Sequence, residues 1–398
     1  MNKKLCEVFL LLGFISFTSL ACCGGSMGGM GGMGGIGGSH NSMMVGESYW
    51  KEGVTPAPFR QTGKVRTYYI AADEVIHDYA PLGFNAIFGE PFTPEEADFT
   101  VRTENRIGSQ YIKCLYREYT SSSFKTLIKR EPKEQYLGML GPVIRGEVGD
   151  TIKIVYKNNC KFPNNINSAG IFDDNSNYAV QTGETFTYIW EVAERCGPGI
   201  MDGSSVQWKY LSRVNPLSDF YAGLIGNIVI TKKGWARKDG TPKDVDQEVF
   251  NMFSVSVENN SPYYDDNIAK FIPPTVNVTA LKSDGGFVGS NAKDAINGFL
   301  YGNGPKAVMK KGERVRWYIM SVGGFRDLHT PHWHGNTLLI DGMRMDVGSI
   351  LPGETFIADM VPDDVGIWLY HCHVNEHLDG GMVTTYEVVD NNKKKEDY

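Results

Sequence analysis

The chain has 398 residues, of which 41% are hydrophobic and 21% charged, and its formal net charge is −7. This length predicts two domains of roughly 150 to 190 residues, and the composition is that of a globular protein. The acidic balance provides no basic surface, so nucleic acid is excluded as an expected partner.

Residues 1–22 are typical of a secretory signal peptide. Lys3 and Lys4 precede an apolar run, and small residues follow it. We therefore expect a secreted, extracellular protein whose mature chain has no membrane span, because no second apolar stretch is long enough. A retained membrane anchor, or a lipidated N-terminus at Cys22, remains an alternative interpretation.

Residues 23–50 form a flexible segment rich in glycine and methionine. Its thioethers are soft ligands that suit Cu(I), whereas a plain linker with incidental methionines is the simpler interpretation. The sequence leaves both interpretations open.

Short strand-like segments separated by glycine and proline follow from Val65 onward, and long helical periodicity is absent. The pattern predicts an all-β fold of sandwiches. "GEVGDTIKIVY" (146–156) is similar to "MKKGERVRWYI" (309–319), which indicates an internal repeat. We expect one β domain at residues 51–235 and a second at 246–390, joined by a charged linker.

Secretion permits disulfides and glycosylation. Cys114, Cys160 and Cys196 lie outside both the signal segment and the histidine cluster, and Cys160–Cys196 is the preferred pair among three alternatives. The sequons at Asn259 and Asn277 agree with a secreted glycoprotein.

Six of the eight histidines lie in two stretches, "HTPHWHG" (329–335) and "WLYHCHVNEHLDGGM" (368–382). Two imidazoles, a thiolate and a weak thioether are the ligand set of a type 1, or blue, copper site. The candidate ligands are His329, Cys372, His377 and Met382.

The remaining histidines alternate along two strands. His332 and His334 share one face, as do His371 and His373, because side chains repeat every second residue along a strand. Cys372 points to the opposite face, so the tripeptide 371–373 would join a thiolate-bound copper to a second metal site. We expect Cys372, His371 and His373 to form the electron route.

These motifs resemble the copper motifs of multicopper oxidases. "DLHTPHWHG" and "GIWLYHCHVNEH" are similar to the last domain of ceruloplasmin- and hephaestin-type ferroxidases, and "YLGMLGPVIRGEVGDTIKIVYKN" is similar to their A domains. The resemblance covers roughly residues 65–390 and implies two cupredoxin (plastocyanin-like) domains. It also implies type 2 copper at His332 and a type 3 pair at His334, His371 and His373.

The chain has fewer histidines than that family requires, because the family's complete copper set takes ten and this chain has eight. The first domain would supply four of them, and the aligned residues are Asn167, Ala169, Leu211 and Arg213. We therefore expect an incomplete trinuclear site holding a single copper or zinc ion, with these four positions facing the histidines across a seam between the domains. The partner alternatives are a homo-oligomer, in which symmetric copies add ligands and sites in equal proportion, and a different protein that supplies the missing half.

The family's iron site is also altered. Its glutamate and histidine align with Gly289 and Asp294, and its aspartate aligns with Glu376. Asp294 and Glu376 form a candidate site for Fe(II) or another hard cation, and two solvated surface acids are the alternative.

The sequence thus predicts a secreted copper oxidoreductase of ferroxidase type, with Fe(II) or a small reductant as donor. A one-electron copper carrier and a non-catalytic interaction or matrix protein are the alternatives. The intact ligand set argues against the last, and the missing histidines argue against full oxidase activity.

Overall fold

Strands dominate the computed structural model, which describes residues 59–390 except 172, 174, 176 and 325. The predicted signal peptide and the glycine-rich segment lie outside the described residues. Within that part of the chain, no helix is long and apolar enough to cross a membrane.

The first sandwich consists of two four-stranded sheets, with strand orders β2–β1–β4–β6 and β3–β8–β7–β5. Its strands are β1 (Val65–Asp78), β2 (Gln110–Tyr119), β3 (Ile144–Glu147), β4 (Thr151–Asn158), β5 (Asn167–Ser168), β6 (Thr185–Glu191), β7 (Ser205–Leu211) and β8 (Ile225–Thr231).

The second sandwich pairs a six-stranded sheet, β10–β9–β12–β16–β14–β15, with a four-stranded sheet, β11–β18–β17–β13. Its strands are β9 (Gln247–Val257), β10 (Ala292–Ile296), β11 (Ala307–Lys310), β12 (Val315–Ser321), β13 (Pro331–Trp333), β14 (Leu338–Ile340), β15 (Met343–Met345), β16 (Thr355–Met360), β17 (Gly366–Cys372) and β18 (Val383–Val389).

The two sandwiches repeat one plan, as the internal repeat predicted. In each, a long first strand pairs in parallel with a later one, β1 with β4 and β9 with β12. The order β3–β8–β7–β5 corresponds to β11–β18–β17–β13 strand by strand. The predicted all-β tandem is therefore confirmed.

Helices are short and lie in connections. The first, α1, starts with a capping box in which Thr93 and Glu96 satisfy each other's backbone N–H groups, which is why a helix begins there. The helices are α1 (Pro94–Thr100), α2 (Pro216–Ala222), α3 (Tyr264–Phe271), α4 (Val278–Lys282), α5 (Gly285–Ser290) and α6 (Asn375–Asp379), with 3-10 turns at Pro132–Leu137, Glu194–Cys196 and Glu258–Asn260.

A shared core joins the two sandwiches. Phe220, Tyr221 and Ile225 of the first belong to the same buried cluster as Trp317 and Tyr370 of the second. Buried polar contacts cross the boundary as well, because Lys113 on β2 forms an ion pair with Glu258, and both side chains are fully buried. The second sandwich, which carries the copper motifs, is thus held firmly against the first.

The preferred disulfide was wrong. Cys114 is bonded to Cys160, not Cys160 to Cys196. Cys114 lies on β2 and Cys160 follows β4, and both strands flank β1, so the two residues meet in one core. Cys196 lies instead in the 3-10 turn after β6, beside the indole of Trp208.

Candidate metal sites of the second sandwich

The first cluster of metal-binding side chains forms where three segments meet in the core. His329 lies just before β13, Cys372 ends β17, and His377 lies on α6. His329 and Cys372 are fully buried, and His377 is 9% exposed. The antiparallel pairing of Pro331 with Cys372 brings the first two together, and the turn after β17 brings in the third.

The three donor atoms converge on one point. The Nδ1 atoms of His329 and His377 are 3.1 Å apart, and they lie 3.8 and 3.6 Å from Sγ of Cys372. Donors that share one ion are separated by less than two bond lengths, about 4.1 Å for two imidazoles and about 4.4 Å for an imidazole and a thiolate. The geometry therefore fits a single ion.

Met382 is anchored beside these donors. Its backbone N–H donates to the His377 carbonyl at 2.8 Å, and its carbonyl accepts from the Cys372 N–H at 3.0 Å. Its side chain is fully buried. The preceding residue, Gly381, has φ +108°, a conformation that favours glycine and lets the chain turn sharply into β18.

Burial sets the protonation of this cluster. It raises the pKa of the Cys372 thiol, although the Thr330 N–H donates to Sγ at 3.4 Å and opposes the shift. Burial, followed by the neighbouring His329, lowers the pKa of His377 to about 4. The imidazole is thus neutral and ready to bind a metal at neutral pH, whereas the thiol must lose a proton.

A second cluster lies on the other side of the 371–373 tripeptide. Nε2 of His371 is 3.1 Å from Nδ1 of His332 and 3.1 Å from Nε2 of His334. These three ligand atoms all lie within 4.8 Å of one another. His332 pairs with His371 across β13 and β17, so the register of the sheet builds the cluster.

One hydrogen bond and one longer charged contact orient these imidazoles. Nδ1 of His371 lies 2.8 Å from the Cys372 carbonyl, which leaves Nε2 to face the cluster. Nε2 of His332 lies 3.7 Å from Asp346, which leaves Nδ1 to face the cluster. Burial lowers the pKa of both histidines, so both favour the neutral form that binds metals.

His373 lies at the edge of this second cluster. Its ring centroid is 5.2 Å from that of His332 and 5.5 Å from that of His371, but its nitrogens are not among the converging donors. Its side chain is exposed, and those of His332 and His334 are half-buried. The cluster therefore offers three imidazoles to one ion and opens toward solvent on the His373 side.

The first sandwich carries the corresponding positions without histidine. Asn167 pairs with Leu211 as His332 pairs with His371, so the strand register supports the alignment of these positions. Ala169 is exposed, as is Arg213. That these residues face the histidines across a seam stays a prediction.

The two candidate iron-site acids occupy different surroundings. Asp294 is half-buried on β10 beside Gly380, and burial raises its pKa to about 7. Glu376 is exposed on α6, and Gly289 lies in α5 with open space around it. Among the described residues, neither acid belongs to a group of three metal-binding side chains.

Sequence analysis missed three residues that contact the histidines and the thiolate: Asp327, Thr330 and Asp346. Asp327 lies two residues before His329, and the period-2 rule that paired the other histidines would have placed it on the same face. Asp346 has no such local signal, because it approaches His332 only through the bridge between His332 and Val347.

Comparison with known proteins places these sites in a family context. Residues 272–392 match the model of the "Multicopper oxidase" family. The chain is 39% identical over 342 residues to ferroxidase HEPHL1 of Homo sapiens, which covers 83% of this chain and 29% of that protein. It is 38% identical over 340 residues to ceruloplasmin of Homo sapiens, covering 83% and 31%.

Solved structures share the fold at low sequence identity. Copper nitrite reductase from Nitrosomonas europaea aligns with a TM-score of 0.53 at 16% identity, covering 83% of this chain and 96% of that one. A multicopper oxidase crystal structure aligns with a TM-score of 0.51 at 16% identity, covering 82% and 89%.

The chain spans less than a third of the length of the curated relatives it matches. The match to the family model nevertheless includes both histidine motifs, and copper is the cofactor that the family implies. Residues 272–392 of the chain therefore match a multicopper oxidase domain.

Proposed function

We propose that the chain is a secreted copper oxidoreductase that accepts electrons at a type 1 copper held by His329, Cys372, His377 and Met382. The observation that carries this proposal is the convergence of two imidazole nitrogens and one thiol sulfur within 3.8 Å in a buried pocket. Copper bound there supplies one-electron redox chemistry, because this ligand set accommodates both Cu(I) and Cu(II).

The chain's own residues connect this site to the second cluster. Cys372 and His371 are adjacent in sequence, and the hydrogen bond from His371 Nδ1 to the Cys372 carbonyl forms a second link. His373 provides the other covalent link. This is the electron route that we propose between the thiolate and the histidine cluster.

We propose that the second cluster takes one copper or zinc ion through His332, His334 and His371. Three imidazoles with an open side toward solvent are typical of a site that keeps a position for water or a substrate. The first sandwich offers no imidazole at Asn167 and Leu211, so a full trinuclear copper set needs ligands from elsewhere. A homo-oligomer lacks the same histidine ligands in every copy, whereas a different protein would supply them.

Fe(II) or a small reductant is the proposed donor. The name of the HEPHL1 relative describes a ferroxidase, and His377, a proposed type 1 ligand, is 9% exposed whereas His329 and Cys372 are fully buried. Asp294 is half-buried and Glu376 is exposed, so a cation is held weakly at best by these two acids. We therefore expect Fe(II) oxidation to be slow and weakly saturable.

A one-electron copper carrier is the second candidate. One observation favours it. The buried group of His329, Cys372 and His377 lies wholly within this chain, whereas the second cluster supplies three imidazoles, which are too few for a full trinuclear copper set. In that case the type 1 copper is reduced and reoxidised without turnover at the second cluster.

Oxygen uptake separates the two functions. Copper-loaded wild type is mixed with Fe(II) or ascorbate, and donor oxidation and oxygen consumption are followed together. The oxidoreductase predicts sustained uptake that Cys372→Ser abolishes and that His334→Ala lowers at least tenfold. His77→Gln is the matched control, because His77 is buried on β1 and bonds the Gly298 carbonyl, away from both clusters. A single reduction event without oxygen uptake in wild type would instead establish the carrier.

A further inference from the structure

A buried carboxylate contacts the type 1 site on the side away from the thiolate. Asp327 is 1% exposed, and its Oδ1 lies 3.4 Å from Nε2 of His329, which is itself fully buried. The Val255 N–H donates to the same oxygen at 2.8 Å, and the Gly324 N–H donates to Oδ2 at 2.8 Å. A buried carboxylate that accepts two backbone N–H groups is held in place.

The surrounding loop is shaped around this carboxylate. At Gly323, a Cβ atom would lie 2.0 Å from Oδ2 of Asp327, and the glycine has φ +144°. The Ser321 hydroxyl donates to the Asp327 carbonyl at 2.9 Å and fixes the backbone from the end of β12. Glycine is therefore required for the chain to wrap around the Asp327 side chain.

This contact decides which nitrogen of His329 faces the metal site. A neutral imidazole carries one proton, and a carboxylate acceptor beside Nε2 keeps the proton there. Nδ1, which points toward Cys372 and His377, then has a free lone pair. We propose that Asp327 is a positioning residue that fixes the metal-binding tautomer of His329 and, through its buried negative charge, favours Cu(II) over Cu(I) at the type 1 site.

This inference rests on the proposed type 1 site and adds a residue that tunes it. Outer hydrogen-bond partners of metal-binding histidines typically change metal affinity by about 10–100-fold when they are removed. We expect Asp327→Asn to weaken Cu(II) binding about tenfold more than Cu(I) binding, which raises the reduction potential by about 59 mV for a one-electron couple.

The test measures the reduction potential and the Cu(II) electron paramagnetic resonance spectrum of wild type, Asp327→Asn and Asp219→Asn. Asp219 is the matched control, because it is equally buried but accepts its hydrogen bonds in the first sandwich, from Ser212 and Asn215. A higher potential and an altered copper hyperfine splitting in Asp327→Asn alone support the proposal. A potential equal to that of wild type overturns it.

A second measurement needs no variant. In metal-free wild type, long-range ¹H–¹⁵N spectra assign the His329 tautomer directly, and we expect the proton on Nε2. A proton on Nδ1 overturns the proposal even if the wild type forms a blue copper site. Failure of the wild type to form that site contradicts the type 1 assignment instead, so the two failures are distinguishable.

Discussion

His329 and His377, which are 48 residues apart in sequence, present their Nδ1 atoms to each other at 3.1 Å in a buried pocket. Two neutral imidazoles cannot both direct lone pairs at one point without repulsion unless a cation or a proton lies between them. Burial lowers the pKa of His377 to about 4, which disfavours the doubly protonated ring, so in the metal-free chain one neutral ring donates its Nδ1–H to the other. We propose that a metal ion replaces that proton and binds both nitrogens.

Zinc affinity of this pocket should depend on pH through the thiol. Burial raises the pKa of Cys372, so metal binding releases one proton from it across the neutral range. We expect the affinity to rise about tenfold per pH unit between pH 6 and 8. Competition titrations with a zinc chelator measure it, and Cys372→Ser should give weaker binding without that slope. A slope of zero in the wild type would show that the thiolate is not a ligand.

Met382→Leu should raise the reduction potential of the copper-loaded protein and leave its blue colour. In the proposed type 1 site Met382 would supply a weak thioether donor that stabilises Cu(II), and such a donor tunes the reduction potential. Spectroelectrochemical titration measures the shift. Met360→Leu is the control, since Met360 is equally buried on β16 of the same sandwich. A lower potential in Met382→Leu, or an equal shift in both variants, is incompatible with axial ligation.

Lys113→Met should strongly destabilise the contact between the two sandwiches. It leaves Glu258, fully buried and ion-paired with Lys113, without its cation. Removing one partner of a buried pair typically costs about 3–5 kcal/mol. Urea denaturation measures the loss in free energy of unfolding. Lys133→Met is the control, because Lys133 pairs with Glu131 on the surface, and its loss should cost less than about 1 kcal/mol. Equal effects of the two variants would contradict the structural role of Lys113.

Asp294→Asn should remove part of the pH dependence of stability. Burial raises the Asp294 pKa from 3.8 to about 7 in the folded state, so the folded chain binds more protons than the unfolded one in that window. Stability contributed by the protonated form is therefore lost as pH rises from about 4 to about 7.

Melting temperatures at pH 5 and pH 8 test this expectation. The melting temperature of Asp294→Asn, relative to that of the wild type, should be higher at pH 8 than at pH 5. A change of about 1 kcal/mol in the free energy of unfolding corresponds to roughly 2–4 °C. Glu376→Gln, at an exposed position, should follow the wild type at both pH values. Parallel pH profiles for all three proteins would show that Asp294 is not titrating in this range.

Local patterns predicted which histidines lie together. His332, His334 and His371 converge because strand alternation and one antiparallel register place them together, and both properties follow from short sequences. The internal repeat likewise predicted two sandwiches of matching strand order.

Contacts between distant segments were harder to predict. The Cys114–Cys160 bond depends on β1 lying between β2 and β4, which no local pattern encodes. The approach of Asp346 to His332 likewise depends on how a distant loop returns to the sheet. Sequence periodicity specifies which face a side chain occupies, but strand order decides what it meets there.

The most direct test is the absorption spectrum of the purified chain loaded with Cu(II), combined with copper analysis. We expect an intense blue thiolate-to-copper band with one type 1 copper per chain, and a second ion at the histidine cluster that His334→Ala removes. Cys372→Ser should abolish the blue band and spare the second ion. A wild-type protein that stays colourless with Cu(II) under oxidising conditions would contradict the type 1 site, and three or four coppers per chain would contradict the incomplete cluster.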